Sequence, residues 1–172
     1  MKWKLIIATL TLVTIAGGAW FTAWANTPDR PLTATVQPIQ QPEPTPQPPT
    51  VDEFFALTNE ARSSAGVKPL ALDTLLNQSA QRKADELARD GWDNTPHVNN
   101  EGVHGYMYIP DTGKKCISGS ENLLYGVTTA RIGVNWWMNS EAHKNALLSP
   151  AYESVGFGIN GGYVVQHFCD ER

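Results

Sequence analysis

The sequence predicts an exported domain of the α+β class. Three observations predict it: a basic and then apolar leader ending in a small-x-small site, segments whose apolar residues recur at helical spacing, and a closing pair of alternating apolar runs joined by a glycine turn. The chain has 172 residues, of which 41% are hydrophobic and 17% charged, enough apolar material for one buried core. Its net charge is −4 with no basic cluster, which excludes the usual electrostatic footprint of a nucleic-acid binder. Two cysteines are too few for a disulfide-scaffold mini-protein or a four-cysteine zinc module.

The leader comes first. Lys2 and Lys4 precede an uncharged run from Leu5 to Ala25 that ends in Ala23-Trp24-Ala25. Residues 1–25 therefore read as a secretory signal peptide, with an uncleaved N-terminal anchor as the alternative. Both readings export the remainder, so the expected location is secreted or tethered to the outer face of the cytoplasmic membrane. In the tethered case this segment is the only membrane contact. Residues 26–50 hold eight of the twelve prolines and have no apolar period, which describes a proline-rich disordered linker. It is either a spacer of up to roughly 75 Å or a plain leader.

The domain occupies residues 51–172. Thr50 and Glu53 form a capping-box pattern, and Val51, Phe54, Phe55 and Ala61 follow at helical spacing until Gly66 and Pro69. Asp73 caps a second helix to about Asp90, with Leu76, Ala80, Ala84, Leu87 and Ala88 as its buried stripe and Gly91 at its end. From Trp92 to Ser120 periodicity vanishes, and a segment this long is functional or cross-linked. A third helix runs from Thr129 to Asn139 and buries Ile132, Val134 and one of Trp136 or Trp137; a helical turn follows at 141–148. Val155, Phe157 and Ile159 then alternate with Gly156 and Gly158, Asn160-Gly161 makes a primed turn, and Tyr163–Cys169 returns. Glycines on one strand face admit a close backbone. Cys116 and Cys169 read most simply as one disulfide worth roughly 4 kcal/mol on the chain-entropy model, against the alternative of free thiols.

The four histidines are His97, His104, His143 and His167, and the acids near them are Glu101, Glu121 and Glu141. No HExxH, GxSxG, P-loop or paired CxxC is present. Spacing alone leaves each histidine an ordinary surface or core residue.

Six short motifs stand in order: Leu57-Thr58-Asn59-Glu60-Ala61-Arg62 with Gly66–Leu70; Ala80, Ala84 and Leu87; Pro96-His97; Ser120-Glu121-Asn122-Leu123; Trp137–Ser140 with His143, Asn145 and Leu147-Leu148; and Val155–Gly158 with Val165–Phe168. Together they resemble the CAP superfamily (cysteine-rich secretory proteins, antigen five, pathogenesis-related proteins; the SCP-like domain), in its short bacterial single-domain form. The resemblance implies a three-layer α-β-α sandwich with a surface cleft that gathers two histidines and two acids. Carried over, these are His97, His143 and Glu121. The second acid's place is held by Ser140, with Glu141 one position and about 100° of helix beyond. Ser120 replaces the usual glycine before Glu121. His104 and His167 receive no role.

Neutral imidazoles beside carboxylates suit Zn2+ or another divalent cation, with His97 and His143 as ligands and Glu121 or Glu141 in support. Two imidazoles are fewer than the three protein ligands usual at a catalytic zinc, so a metal here is expected to be loosely held. The resemblance implies a non-enzymatic extracellular module that binds a lipid, a sterol or another protein. A metal-assisted peptidase using Glu121 with His97 and His143 is the alternative, and a structural envelope protein a third; no catalytic residue is assigned with assurance.

Overall fold

In the computed structural model, residues 47–92 and 96–171 are described. The expected signal peptide and most of the proline-rich linker lie outside them. The Thr50 side chain accepts from the Glu53 amide while Glu53 reaches back to the Thr50 amide, and this reciprocal cap starts helix α1 (Val51–Ser64). A two-residue strand β1 (Ala71–Leu72) leads to α2 (Thr74–Asp90), where Asp73 caps the Leu75 and Leu76 amides. Gly91, at φ 87°, ends it.

The irregular region contains two short 3-10 turns, Gly105–Tyr108 and Pro110–Thr112, and then a strand the sequence reading did not identify, β2 (Ser118–Tyr125). Helices α3 (Ala130–Met138) and α4 (Glu141–Leu147) follow, and strands β3 (Ser154–Asn160) and β4 (Tyr163–Asp170) close the chain. The four strands lie in the order β1-β3-β4-β2, with β1 parallel to β3 and the other pairs antiparallel.

The strand period sorts the core into two layers. Val155, Phe157, Val164, Phe168 and Leu124 face α1, α3 and α4, where Phe54, Val134, Trp137 and Leu147 meet them. Leu123, Tyr163 and Val165 face α2 through Ala80, Ala84 and Leu87. The expected three-layer α-β-α sandwich is therefore observed. Glycines set the spacing of the second layer: a Cβ at Gly156 would overlap the backbone of Leu76 and Asn77, and one at Gly158 that of Ala80 and Gln81. Because β1 is so short, the amides of Phe157 and Ile159 find partners on α2 instead, the side-chain oxygens of Asn77 (2.8 Å) and Gln81 (3.1 Å).

Three local expectations are corrected. Ile132 is 51% exposed and Trp136 55%, because α3 buries the 130, 133, 134, 137 face instead. Ala88 is exposed, the buried face of α2 having rotated onto Lys83 and Glu86. The hairpin turn is Gly161-Gly162, one residue later than expected, since Asn160 pairs with Tyr163 and both central positions require positive φ (56° and 86°). The disulfide joins Cys116 to Cys169 with Cα atoms 5.4 Å apart.

Candidate functional site

Glu121 and His167 are register partners on β2 and β4, so their side chains rise from the same sheet face toward α2. The Glu121 carboxylate is buried, and both its oxygens are engaged. Oε2 lies 2.9 Å from His167 Nε2, and Oε1 lies 2.8 Å from His97 Nδ1. Burial alone would raise the Glu121 pKa, but the bonds from His167 and His97 outweigh it and hold the carboxyl below its ordinary value. The charged carboxylate therefore accepts from both rings. On its far side the fully buried His167 ring places Nδ1 2.8 Å from Ser79 Oγ on α2, which fixes the ring plane.

His97 arrives on a short arm. Val98 and His104 form an isolated antiparallel bridge, the Asn99 carboxamide accepts from the amides of Glu101 and Val103, and the Gly105 amide donates to the His97 carbonyl at 2.9 Å. Gly105 is pressed against the carboxylate so closely that a Cβ there would overlap Glu121. The His97 side chain stays 44% exposed. With Nδ1 committed to Glu121, its Nε2 is the atom left to a ligand.

His143 comes from the opposite layer. It sits in α4, and its carbonyl accepts from Asn122, the β2 residue that points away from Glu121. Its Nδ1 lies 2.7 Å from Ser140 Oγ and its ring packs on Trp136 at 5.2 Å. Partial burial lowers the His143 pKa, and the nearby charge of His97 lowers it further. The two imidazoles thus come from different layers of the fold, within electrostatic reach of one another. Ser140 holds the second imidazole where the resemblance led us to expect an acid. Glu141 is exposed at the start of α4 and forms none of the hydrogen bonds described for this cluster.

The structure therefore joins Glu121 directly to His97, brings His143 near, and leaves Glu141 outside. It adds His167 and Ser79, which sequence reasoning passed over. His167 is fully buried and is one of the two imidazoles hydrogen-bonded to the buried carboxylate. No period in 118–125 signalled this, since the strand that places Glu121 opposite His167 is defined by its pairing with β4. His104, by contrast, stacks on Tyr106 at 5.4 Å and takes no part.

Among the described residues, no group of three or more His, Cys, Asp or Glu side chains is placed to hold a metal ion. The donor set does not form a three-ligand zinc centre. His97 and His143 are the two imidazoles whose Nδ1 atoms are taken, by Glu121 and Ser140, leaving Nε2 as the atom that could meet a cation.

Comparison with known proteins agrees with this architecture. The family model of the cysteine-rich secretory protein family, CAP, matches residues 55–169. Two proteins of Bacillus subtilis are similar: YkwD, 29% identical over 65% of this chain and 44% of its own length, and the membrane protein YlbC, 38% identical over 67% of this chain and 33% of its own. The chain thus spans less than half the length of these curated relatives. Among solved structures, an extracellular SCP-domain protein of Bacillus anthracis superposes with a TM-score of 0.66 at 20% identity, covering 70% of this chain and 40% of that one. An outer surface protein of Borrelia burgdorferi gives 0.61 at 21% identity, covering 69% and 90%. By its matched model and its fold, the chain belongs to the CAP, or cysteine-rich secretory protein, family.

Proposed function

We propose that this domain is an exported, non-enzymatic binding module whose ligand is a lipid or sterol. The single observation that carries the reading is a groove of about 440 Å³ between α1 and the α3–α4 pair, a volume in the range of small-molecule sites. Leu57, Ala61, Val134, Met138 and Leu148 give it an apolar floor. Lys144 and the Arg131–Glu60 ion pair stand among its polar lining residues, where a cationic group suits an acidic head.

The state of Glu121 supports binding over hydrolysis. A general base needs a lone pair within reach of water, and this carboxylate is 1% exposed with each oxygen bonded to an imidazole. Its role in this reading is to orient His97. A loosely held divalent cation between His97 and His143 belongs to the same reading, since their Nδ1 atoms have partners and their Nε2 atoms are available. A bound cation would supply a local positive charge; the chain's own part is to hold the two rings in place through Glu121 and Ser140. Export is supported by the apolar leader, and the two solved relatives, an extracellular protein and an outer surface protein, agree with it.

The test is ligand retention. The chain is incubated with a fluorescent fatty acid and a fluorescent sterol, with and without zinc, beside an Ala61→Trp variant that fills the groove. Retention of either probe, weakened about tenfold or more by Ala61→Trp, supports the reading. Retention of neither, or retention that Ala61→Trp leaves unchanged, overturns it. Zinc titration into wild type and a His97→Ala/His143→Ala double variant tests the cation separately, and equal uptake refutes the two-imidazole site.

A further inference from the structure

A second concave surface lies apart from the lipid groove. The C-terminal half of α2 brings the exposed Arg82 and Arg89 and the buried Glu86 to one wall, and opposite them the arm at 99–101 presents Asn99, Asn100 and Glu101. Together with Tyr108 they enclose about 410 Å³. The lining is largely polar, the reverse of the lipid groove.

Apart from the exposed Glu101, its charges are paired locally. Arg82 bonds Asp111 at 2.6 Å, Arg89 bonds Asp90 at 2.7 Å, and the fully buried Lys83 is paired with Glu86. Glu86 also accepts from the Tyr108 hydroxyl, to which Asn99 donates at 3.0 Å. Burial, with Glu86 adding to it, pushes the Tyr108 pKa up to about 12, so this hydroxyl keeps its proton. The Arg82 guanidinium lies 4.0 Å above the Tyr108 ring centroid, which stiffens the wall. A cleft built this way offers many fixed donors and acceptors, with one uncompensated carboxylate on the arm. It is poorly suited to an anion or a metal ion and well suited to a neutral ligand rich in hydroxyls.

A second observation points the same way. The cleft continues along α2 to Gly91, and one residue beyond stands Trp92, 44% exposed. Trp92 stacks on Tyr163 with planes 8° apart and centroids at 6.1 Å, and Tyr125, 59% exposed, packs on Tyr163 at 4.5 Å. One face of the indole is thus backed by another ring. An exposed aromatic face carries partial negative charge and attracts the weakly positive C–H groups of a pyranose. A polar cleft whose wall runs to Gly91, with a braced aromatic ring on the next residue, offers groups for both faces of a sugar.

We propose that the α2 cleft and the Trp92 platform form a binding site for a neutral oligosaccharide. This site shares no lining residue with the lipid groove and stands independently of that reading. The test uses amide and indole NMR spectra of the full chain, titrated separately with chitotetraose, cellotetraose and maltotetraose. The expected result is progressive shifts at Arg89, Asn99, Asn100 and the Trp92 indole with at least one of the three. Asn100→Ala and Trp92→Ala, both surface changes, then each weaken that binding about tenfold or more. Absence of shifts with all three sugars at about 10 mM, above the weak end of the affinity scale, overturns the proposal. So do shifts confined to other surfaces, or binding that neither variant weakens.

Discussion

Glu121 and His167 face each other across the β2–β4 ladder, carboxylate to imidazole at 2.9 Å, with neither side chain more than 1% exposed. This pair sits at the base of the candidate cleft, and His97 at the surface depends on it for its orientation.

Replacing His167 with Leu strips one partner from a buried carboxylate and orphans Ser79. The expected loss is about 3 kcal/mol in urea unfolding, with His167→Gln losing less because an amide N–H still reaches the carboxylate. Equal losses in the two variants count against a hydrogen-bonding role.

Stability should fall on acidification, and the sign follows from two groups. The Glu121 carboxyl is held below its ordinary value of 4.5, so its contribution is present above that pH and disappears as pH drops through the folded-state value. His143 is held below 6.5, so the unfolded chain takes up its proton first and stability begins to decline near 6.5. Urea midpoints measured from pH 7.5 to 4 should decrease throughout. Glu121→Gln should start lower at pH 7 and show a flatter profile below about 4.5.

Gly158→Ala drives a methyl group into the α2 backbone at Ala80–Gln81, where no flexible side chain can yield. A loss of about 3 kcal/mol or failure to fold is expected, measured by thermal melting of the purified variant. A loss below about 1 kcal/mol contradicts this packing.

Arg62 is fully buried and its guanidinium donates to the carbonyls of Lys68 (2.9 Å), Leu147 (2.7 Å) and Ser149 (2.9 Å). It gathers the end of α4 and the turn after α1 onto one planar fork. Arg62→Lys offers no such fork and is expected to cost about 2–3 kcal/mol in chemical denaturation, despite conserving the charge.

The Cys116–Cys169 disulfide closes a loop across 53 positions. Reduction should lower stability by about 4 kcal/mol on the chain-entropy model, less whatever the adjoining ladder already restrains. Comparing urea midpoints with and without a dithiol measures it, and an unchanged midpoint denies the bridge any stabilising role.

The sequence by itself determined the helices with strong periodicity and chemical caps, α1 from Thr50 and Glu53 and α2 from Asp73 and Gly91, because those signals lie within a few residues of each other. Gly156 and Gly158 likewise announced a close helix before any coordinates did. The motif resemblance nominated His97, Glu121 and His143. Only the tertiary structure decided how these act. Strand β2 was illegible because its residues mix polar and apolar types, and its identity depends on pairing with β4 some forty positions later. That pairing alone places His167 beneath Glu121, and the fold alone puts Ser79 behind His167 and Ser140 behind His143. A hydrogen bond between distant segments leaves no period in the chain; it exists only once packing has brought the two atoms to within 3 Å and removed the water that would otherwise satisfy them.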